Sequence, residues 1–339
     1  MTPIRPLSRW LVAALAVVVL GLAGCSPASP SSSGSPSTDD PAPVSAVVGL
    51  TYIPNIQFAP FYVADSQGFY TEAAAVSLRH HGASEGLFSA LAAGEEDFVV
   101  AGGDEILQAR SQGVDIMAVA SYYGQYPARV IVPEGSPIAS VADLKGHTVG
   151  IPGKYGENWF ALLIALKDAG LTEADVTIAE IGYTQQAALM TNKVDAVIGF
   201  ANSDVLSFQA AGFAITAIDP KVPLVSICLA TTKAYADAHP DVVSAVIAGM
   251  KKGMQTSLDD EETTLSVAAD YIPSFRGDTL ATAKIVLPAT TALFLSDDGT
   301  LSAPFDPAQW AAMASSMASV GLIPDGTDET GAYTNHYAG

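Results

Sequence analysis

One local pattern recurs along this chain and restricts its fold more than any other feature. A short β-rich run is followed by a polar or glycine-rich loop and then a helical segment. "SAVVGLTYI" leads through Pro54-Asn55-Ile56-Gln57-Phe58-Ala59-Pro60 into a helix starting near Pro60, and proline fits a first helical turn because its missing N–H is not needed there. "DFVVAGG" leads through Asp104-Glu105 into "ILQARSQG", a helix ending at Gly113. "HTVGIPG" leads through Lys154 to Trp159 into "FALLIALKDAGL", and "DAVIGF" leads through Ala201 to Asp204 into "VLSFQAAG". Short strands alternating with helices predict an α/β fold with mostly parallel sheets flanked by helices.

In such sheets ligands bind in the crevice beyond the carboxyl ends of the strands. The four junctions place Asn55, Gln57 and Phe58, then Asp104 and Glu105, then Tyr155, Glu157, Asn158 and Trp159, then Asn202 at those ends. These ten residues are the candidate ligand-binding set. Each also has a structural use: Asn55 or Asp204 as a helix cap, Asp104 and Glu105 as partners of a helix dipole, the aromatics as core. Gly150, Gly153 and Gly156 suit tight turns, or an anion at a helix N-terminus.

The chain has two lobes on this reading. "PARVIVPEGSPIASVADLKGHTVGIPG" reads as an extended crossover into a unit starting near Pro133, and "VSICLATTKAYADAHP" reads as the return. Residues 44–132 plus 229–339 are expected as the first lobe and 133–228 as the second. Two crossings imply a hinge, with the ligand held in the cleft between lobes.

The N-terminus reads as an address. Arg5 and Arg9 precede an apolar run, Trp10 to Leu22, that closes on Leu22-Ala23-Gly24-Cys25. This is a secretory signal over residues 1–25, and its ending resembles a bacterial lipobox with Cys25 as the lipidated residue. Residues 26–43, almost entirely Ser, Pro, Gly, Thr and Asp, are expected to be a flexible tether. The folded part would then be extracytoplasmic and lipid-anchored to the membrane.

Charge and chemistry exclude several classes. With 15 Lys+Arg against 35 Asp+Glu the net charge is −20, the wrong sign for a nucleic-acid surface. The five histidines lack zinc-binding spacing, and no nucleophile elbow or phosphate loop is present, so no metal, cofactor or catalytic residue is expected. Cys228, the one cysteine besides Cys25, reads as a small core residue. His80-His81 is the one pair an enzyme reading would turn to, and it is expected at a strand end near the surface.

"ADLKGHTVGIPG", "KVDAVIGF" and "YIPNIQFAPFYVADSQGFY" resemble the solute-binding proteins of ABC importers. The branch is the type II periplasmic-binding fold shared with thiamine-pyrimidine-synthase-like proteins. The resemblance runs from about residue 46 to about 260 and continues more loosely to the C-terminus. Binders of the thiamine pyrimidine precursor in that branch carry Asn-x-x-His after the first strand, where this chain has Asn55-Ile56-Gln57-Phe58. "YIPNIQFAPFYVA", "GGDEILQAR", "GIPGKYGENW" and "IGYTQQAAL" look more like its riboflavin-binding lipoproteins. The resemblance implies a monomer that binds one riboflavin, performs no chemistry and delivers its ligand to an ABC permease. Phe58, Tyr155 and Trp159 would face the ring, Asn55 and Gln57 its pyrimidine-dione edge, and Asp104, Glu105 and Asn202 the ribityl hydroxyls. A thiamine pyrimidine, a sulfonate-type anion and a pyrimidine-synthase-like activity are the alternatives. For an anion the junction loops offer only Lys154, with Arg110 and Arg129 nearby.

Overall fold

The structure, a computed structural model, describes residues 43–70, 73–82 and 85–338. The expected signal segment, Cys25 and the tether lie outside those residues, except for Pro43.

The first sheet begins with β1 (Val44–Leu50), α1 (Ala59–Ser66), β2 (Ala74–His80), α2 (Ser89–Ala93), β3 (Phe98–Gly102), α3 (Gly103–Ser111) and β4 (Met117–Ser121). The second lobe holds β5 (Ala128–Pro133), β6 (Thr148–Ile151), α4 (Gly156–Asp168), β7 (Thr177–Glu180), α5 (Gln185–Met190), β8 (Ala196–Phe200), α6 (Asp204–Ala210) and β9 (Ile215–Ile218). The chain then returns as β10 (Ile227–Thr231), followed by α7 (Lys233–Ala238), α8 (Pro240–Asp259), α9 (Glu261–Tyr271), α10 (Asp278–Leu293) and α11 (Pro307–Ser319).

The two sheets share one topology. Their strand orders are β2-β1-β3-β10-β4 and β7-β6-β8-β5-β9. In each, three neighbouring strands are parallel, and the strand that enters after a crossing, β10 or β5, pairs antiparallel on both sides. The chain therefore crosses between the sheets at 122–127 and at 219–226. β5 lies wholly in the second sheet, a few residues ahead of the boundary expected at 132/133. The apolar run "ARVIVP", read as a crossover, is a strand.

All four junctions fall at the carboxyl ends of β1, β3, β6 and β8. β3 is buried along its whole length, as suits a parallel strand covered on both faces. The core is continuous around each sheet. Phe61, Phe98, Met250 and Phe294 pack with their neighbours on one side of the first sheet, and Trp159, Phe160, Ile198 and Trp310 belong to a cluster that includes strands of both sheets. Full burial of each such side chain contributes roughly 1.5–3 kcal/mol. Cys228 is buried and its thiol donates to the Ser226 carbonyl at 3.2 Å. Among the described residues no helix is long and apolar enough to cross a membrane.

Candidate functional site

The loop after β1 is held by a hydrogen-bonded relay. The Asn55 N–H donates to the Tyr62 hydroxyl at 3.2 Å, and that hydroxyl contacts His80 Nε2 at 2.9 Å. His80 Nδ1 lies 2.9 Å from the Tyr52 carbonyl. A carbonyl only accepts, so Nδ1 carries the proton and Nε2 accepts from Tyr62. Burial lowers the His80 pKa and keeps this neutral tautomer. Asn55 Oδ1 caps the following turn by accepting from the Gln57 N–H at 3.1 Å, and the Gln57 carbonyl accepts from the Tyr122 hydroxyl. His81, expected near the surface, is instead 3% exposed and sits 2.9 Å from buried Glu96, which Arg79 also contacts. Both histidines hold architecture, and neither is a free base.

The fixed loop forms one wall of a cavity of about 720 Å³ between the lobes. Pro54, Asn55 and Gln57 face Gln186, Asn202 and Asp204 of the second lobe, and Phe275, Thr282 and Ile285 close it from the C-terminal region. This volume lies within the range of pockets that enclose drug-sized ligands. Asn202 is 2% exposed; its Nδ2 donates to Thr290 Oγ1 at 3.0 Å across the lobes, while its Oδ1 has no partner. Asp204 is occupied locally, accepting from the Phe200 N–H at 2.8 Å.

Where α3 meets α4 the carboxyls of both lobes converge. Asp104 and Glu105 at the start of α3 and Glu157 at the start of α4 gather around Gly102: a Cβ built there would lie 3.2 Å from Glu105 Oε2 and 3.3 Å from Glu157 Cγ. Tyr126, in the first crossing, donates to Asp104 Oδ2 at 2.7 Å and lies 3.1 Å from the Glu157 carbonyl. Burial pushes Asp104 up to about 7, and burial together with the Asp104 charge pushes Glu105 up to about 8. Glu157 is raised well above the carboxylate range by burial, with Asp104 and Glu105 adding to it, and its Oε1 has no partner. Among the described residues no group of acids, histidines or cysteines has the arrangement of a metal site.

These raised values fix a pH dependence. A carboxyl whose folded pKa exceeds its unfolded value, near 4, supports the folded state fully below that value. The contribution is lost as pH rises through the folded values of about 7 and 8. The melting temperature is therefore expected to fall between pH 5 and pH 8.5, and Glu157→Gln to flatten the slope. A wild-type melting temperature that rises through that window would contradict the cluster.

Tyrosines of both lobes meet beyond the carboxyl ends of β1, β6 and β7. Tyr52 and Tyr183 place their ring centroids 6.4 Å apart at 55°. Tyr155 and Tyr183 are 57% and 66% exposed, far above the norm for large aromatics in a folded interior. The Tyr183 hydroxyl titrates at about 12, raised first by partial burial and then by Tyr155 beside it.

Of the ten candidate residues, Asn55, Gln57 and Asn202 line the cavity, Asp104, Glu105 and Glu157 form the carboxyl cluster, and Tyr155 stands exposed beside Tyr183. Phe58 and Trp159 do not face the cavity. Phe58 is 3% exposed and packs in the core, edge-on to His80. Trp159 is 6% exposed in the core, with the Lys154 ammonium 5.0 Å from its ring centroid. Asn158 is half-buried on α4 with an unpartnered Oδ1. Sequence reasoning missed Tyr52, Tyr183, Gln186 and the α9–α10 wall. Tyr183 follows β7 in "IGYTQQAAL", a fifth junction of the same kind.

The model of the family described as NMT1/THI5 like matches residues 55–264. The chain is 28% identical to the riboflavin-binding protein RibY of Chloroflexus aurantiacus, over 95% of both chains. It is 24% identical to the formylaminopyrimidine-binding protein of Halalkalibacterium halodurans, over 77% of this chain and 78% of that one. Among solved structures, the periplasmic aliphatic sulphonate binding protein of Escherichia coli superposes with a TM-score of 0.67 at 19% identity, covering 86% of this chain and 92% of that one. With the two-sheet fold and its cleft, these findings lead to one statement of kinship: the chain belongs to the NMT1/THI5-like family.

Proposed function

We propose that this protein is the solute-binding component of an ABC importer, that it captures riboflavin, and that it passes the ligand to a membrane permease. The reading places it outside the cytoplasm, anchored through a lipid on Cys25. The observation that carries it is the cavity between the lobes: about 720 Å³, walled by the amides of Asn55, Gln57, Gln186 and Asn202, with no Lys, Arg or His among its lining residues. Amides offer both donors and acceptors, as the pyrimidine-dione edge of a flavin requires. The exposed Tyr155 and Tyr183 offer ring faces for the flat isoalloxazine. Similarity to RibY along nearly the whole chain supports the same ligand class.

The reading is one of binding rather than turnover, supported by His80 being bonded on both ring nitrogens and by His81 Nε2 being held by buried Glu96. A thiamine pyrimidine is the second reading, supported by similarity to the formylaminopyrimidine-binding protein. Thermal unfolding of the purified full chain separates the two. Riboflavin is expected to raise the melting temperature in proportion to the logarithm of its concentration. A larger rise with hydroxymethylpyrimidine, and none with riboflavin, would hand the site to the pyrimidine.

A further inference from the structure

The fold turns two helix N-termini toward the cleft, at α3 and α4. Such termini are ready-made anion sites, with free N–H groups and the positive end of the helix dipole. In this chain two of its own carboxyls already occupy the α3 terminus. Glu105 Oε2 accepts from the Gly102 N–H at 3.1 Å, and Asp104 Oδ1 accepts from the Glu105 N–H at 2.8 Å. The Gly103 N–H is also spent, on the Ser226 carbonyl at 2.9 Å. Glu105 Oε1 reaches across to α4, 3.3 Å from where a Cβ on its first residue, Gly156, would lie.

The basic side chains near the junctions are engaged elsewhere. Lys154 pairs with Glu173 at 2.6 Å, Arg129 donates to the Tyr126 and Ala128 carbonyls, and Arg110 donates to the Ile116 carbonyl. The groups facing the carboxyl cluster from neighbouring elements are Tyr126 and Tyr123 of the first crossing, Cys228 of β10 and Tyr183 after β7. None of them is cationic. A polar atom left without a partner points the same way. Asn202 Oδ1 is an acceptor on a side chain more than nine-tenths buried, and Asn202 lines the cavity. A buried acceptor without a donor is costly, so the ligand that satisfies it must donate.

We propose that Asp104 and Glu105, with Glu157 beside them, act as a built-in anion surrogate, which makes the cleft selective for uncharged, donor-bearing ligands and excludes phosphorylated and sulfonated ones. An entering phosphate or sulfonate finds no counter-charge in the cavity lining and meets carboxyls already seated on the N–H groups at the start of α3. This specificity rests on the riboflavin reading for its probe and on the cleft geometry for its sign. It is opposite in kind to the ligand named for the sulphonate-binding protein of the same fold. The discrimination grows with pH, because Asp104 and Glu105, pushed up to about 7 and about 8, lose their protons through that range and become charges.

The test is a flavin-fluorescence titration of the full chain with riboflavin and with riboflavin 5′-phosphate at pH 6, 7.5 and 9. In parallel, thermal unfolding is followed with inorganic phosphate and with MOPS. The phosphate ester is expected to bind at least roughly 100-fold more weakly at pH 7.5, the factor one unrelieved like charge imposes, and the gap is expected to widen by pH 9. Glu105→Gln is expected to narrow the gap by favouring the ester, and Glu157→Gln provides the same reading if the first variant folds poorly. Phosphate and MOPS are expected to raise the melting temperature no further than sodium chloride at equal ionic strength. Equal affinity for the two flavins, a gap that closes as pH rises, or specific stabilisation by phosphate or MOPS would overturn the proposal. If neither flavin binds, the riboflavin reading falls, and the phosphate and MOPS measurements decide the exclusion of anions alone.

Discussion

Replacing Trp159 by alanine is expected to lower stability by about 3–5 kcal/mol, the range for emptying a buried aromatic site, while the surviving folded protein keeps its ligand affinity. Trp159 lies in the fourth position of α4, at a junction beyond the carboxyl end of β6, where a stacking residue would be sought. In the fold it is 6% exposed and packs in the core, with Lys154 over its ring. Denaturant unfolding and a flavin titration on the same sample separate the two roles. A loss of affinity with stability intact would return Trp159 to the binding site.

Gly253→Val is expected to cost about 1–3 kcal/mol or more by overpacking, and to weaken ligand binding as well. Gly253 lies on α8 where that helix crosses α1, and a Cβ there would overlap the backbone carbonyl of Pro60. The obstacle is main chain, so a rotamer change cannot relieve it. One turn earlier, Gly249 makes similar room for the Tyr70 ring. Pro60 is in the first turn of α1, immediately after Asn55–Phe58, so a displaced α1 carries the cavity wall with it. A chemical-denaturation midpoint and an affinity both unchanged in Gly253→Val would show that the helices do not approach this closely.

These two residues also show what was legible in the sequence. The strand–loop–helix junctions could be read because each joins a β-rich run to a helix through residues suited to a turn, a local signal. The lobe crossings came out a few residues late because β5 is reversed in its sheet, and nothing in "ARVIVP" distinguishes an antiparallel strand from an extended connection. The direction of Trp159 was not legible. α4 is apolar almost all round, with Phe160, Leu162, Leu163 and Leu166 also buried, so helical periodicity does not mark which face meets the cleft. Phe58 had the same ambiguity, and the aromatic–histidine contact that resolves it joins residues 22 positions apart.

The polar part of the site was better marked. Asn55, Gln57 and Asn202 reach the cavity because the loops that follow parallel strands open at one edge of the sheet. The carboxyl cluster was legible as three acids at two junctions, but not as one cluster, since Glu157 joins Asp104 and Glu105 only when the lobes face each other. Tyr52 and Tyr183 are likewise 131 positions apart and become neighbours through the same juxtaposition. The cavity wall from α10 had no local signature, because it lies in the C-terminal region, outside the junction pattern.

The central claim is that the cleft between the two lobes binds a flavin. It is tested most directly by titrating riboflavin into the purified full chain and following flavin fluorescence. Rings that stack on tyrosine are quenched, so the account predicts saturable quenching that ends at one riboflavin per chain. Fluorescence that stays at the level of free riboflavin throughout, with the melting temperature unmoved, would contradict it.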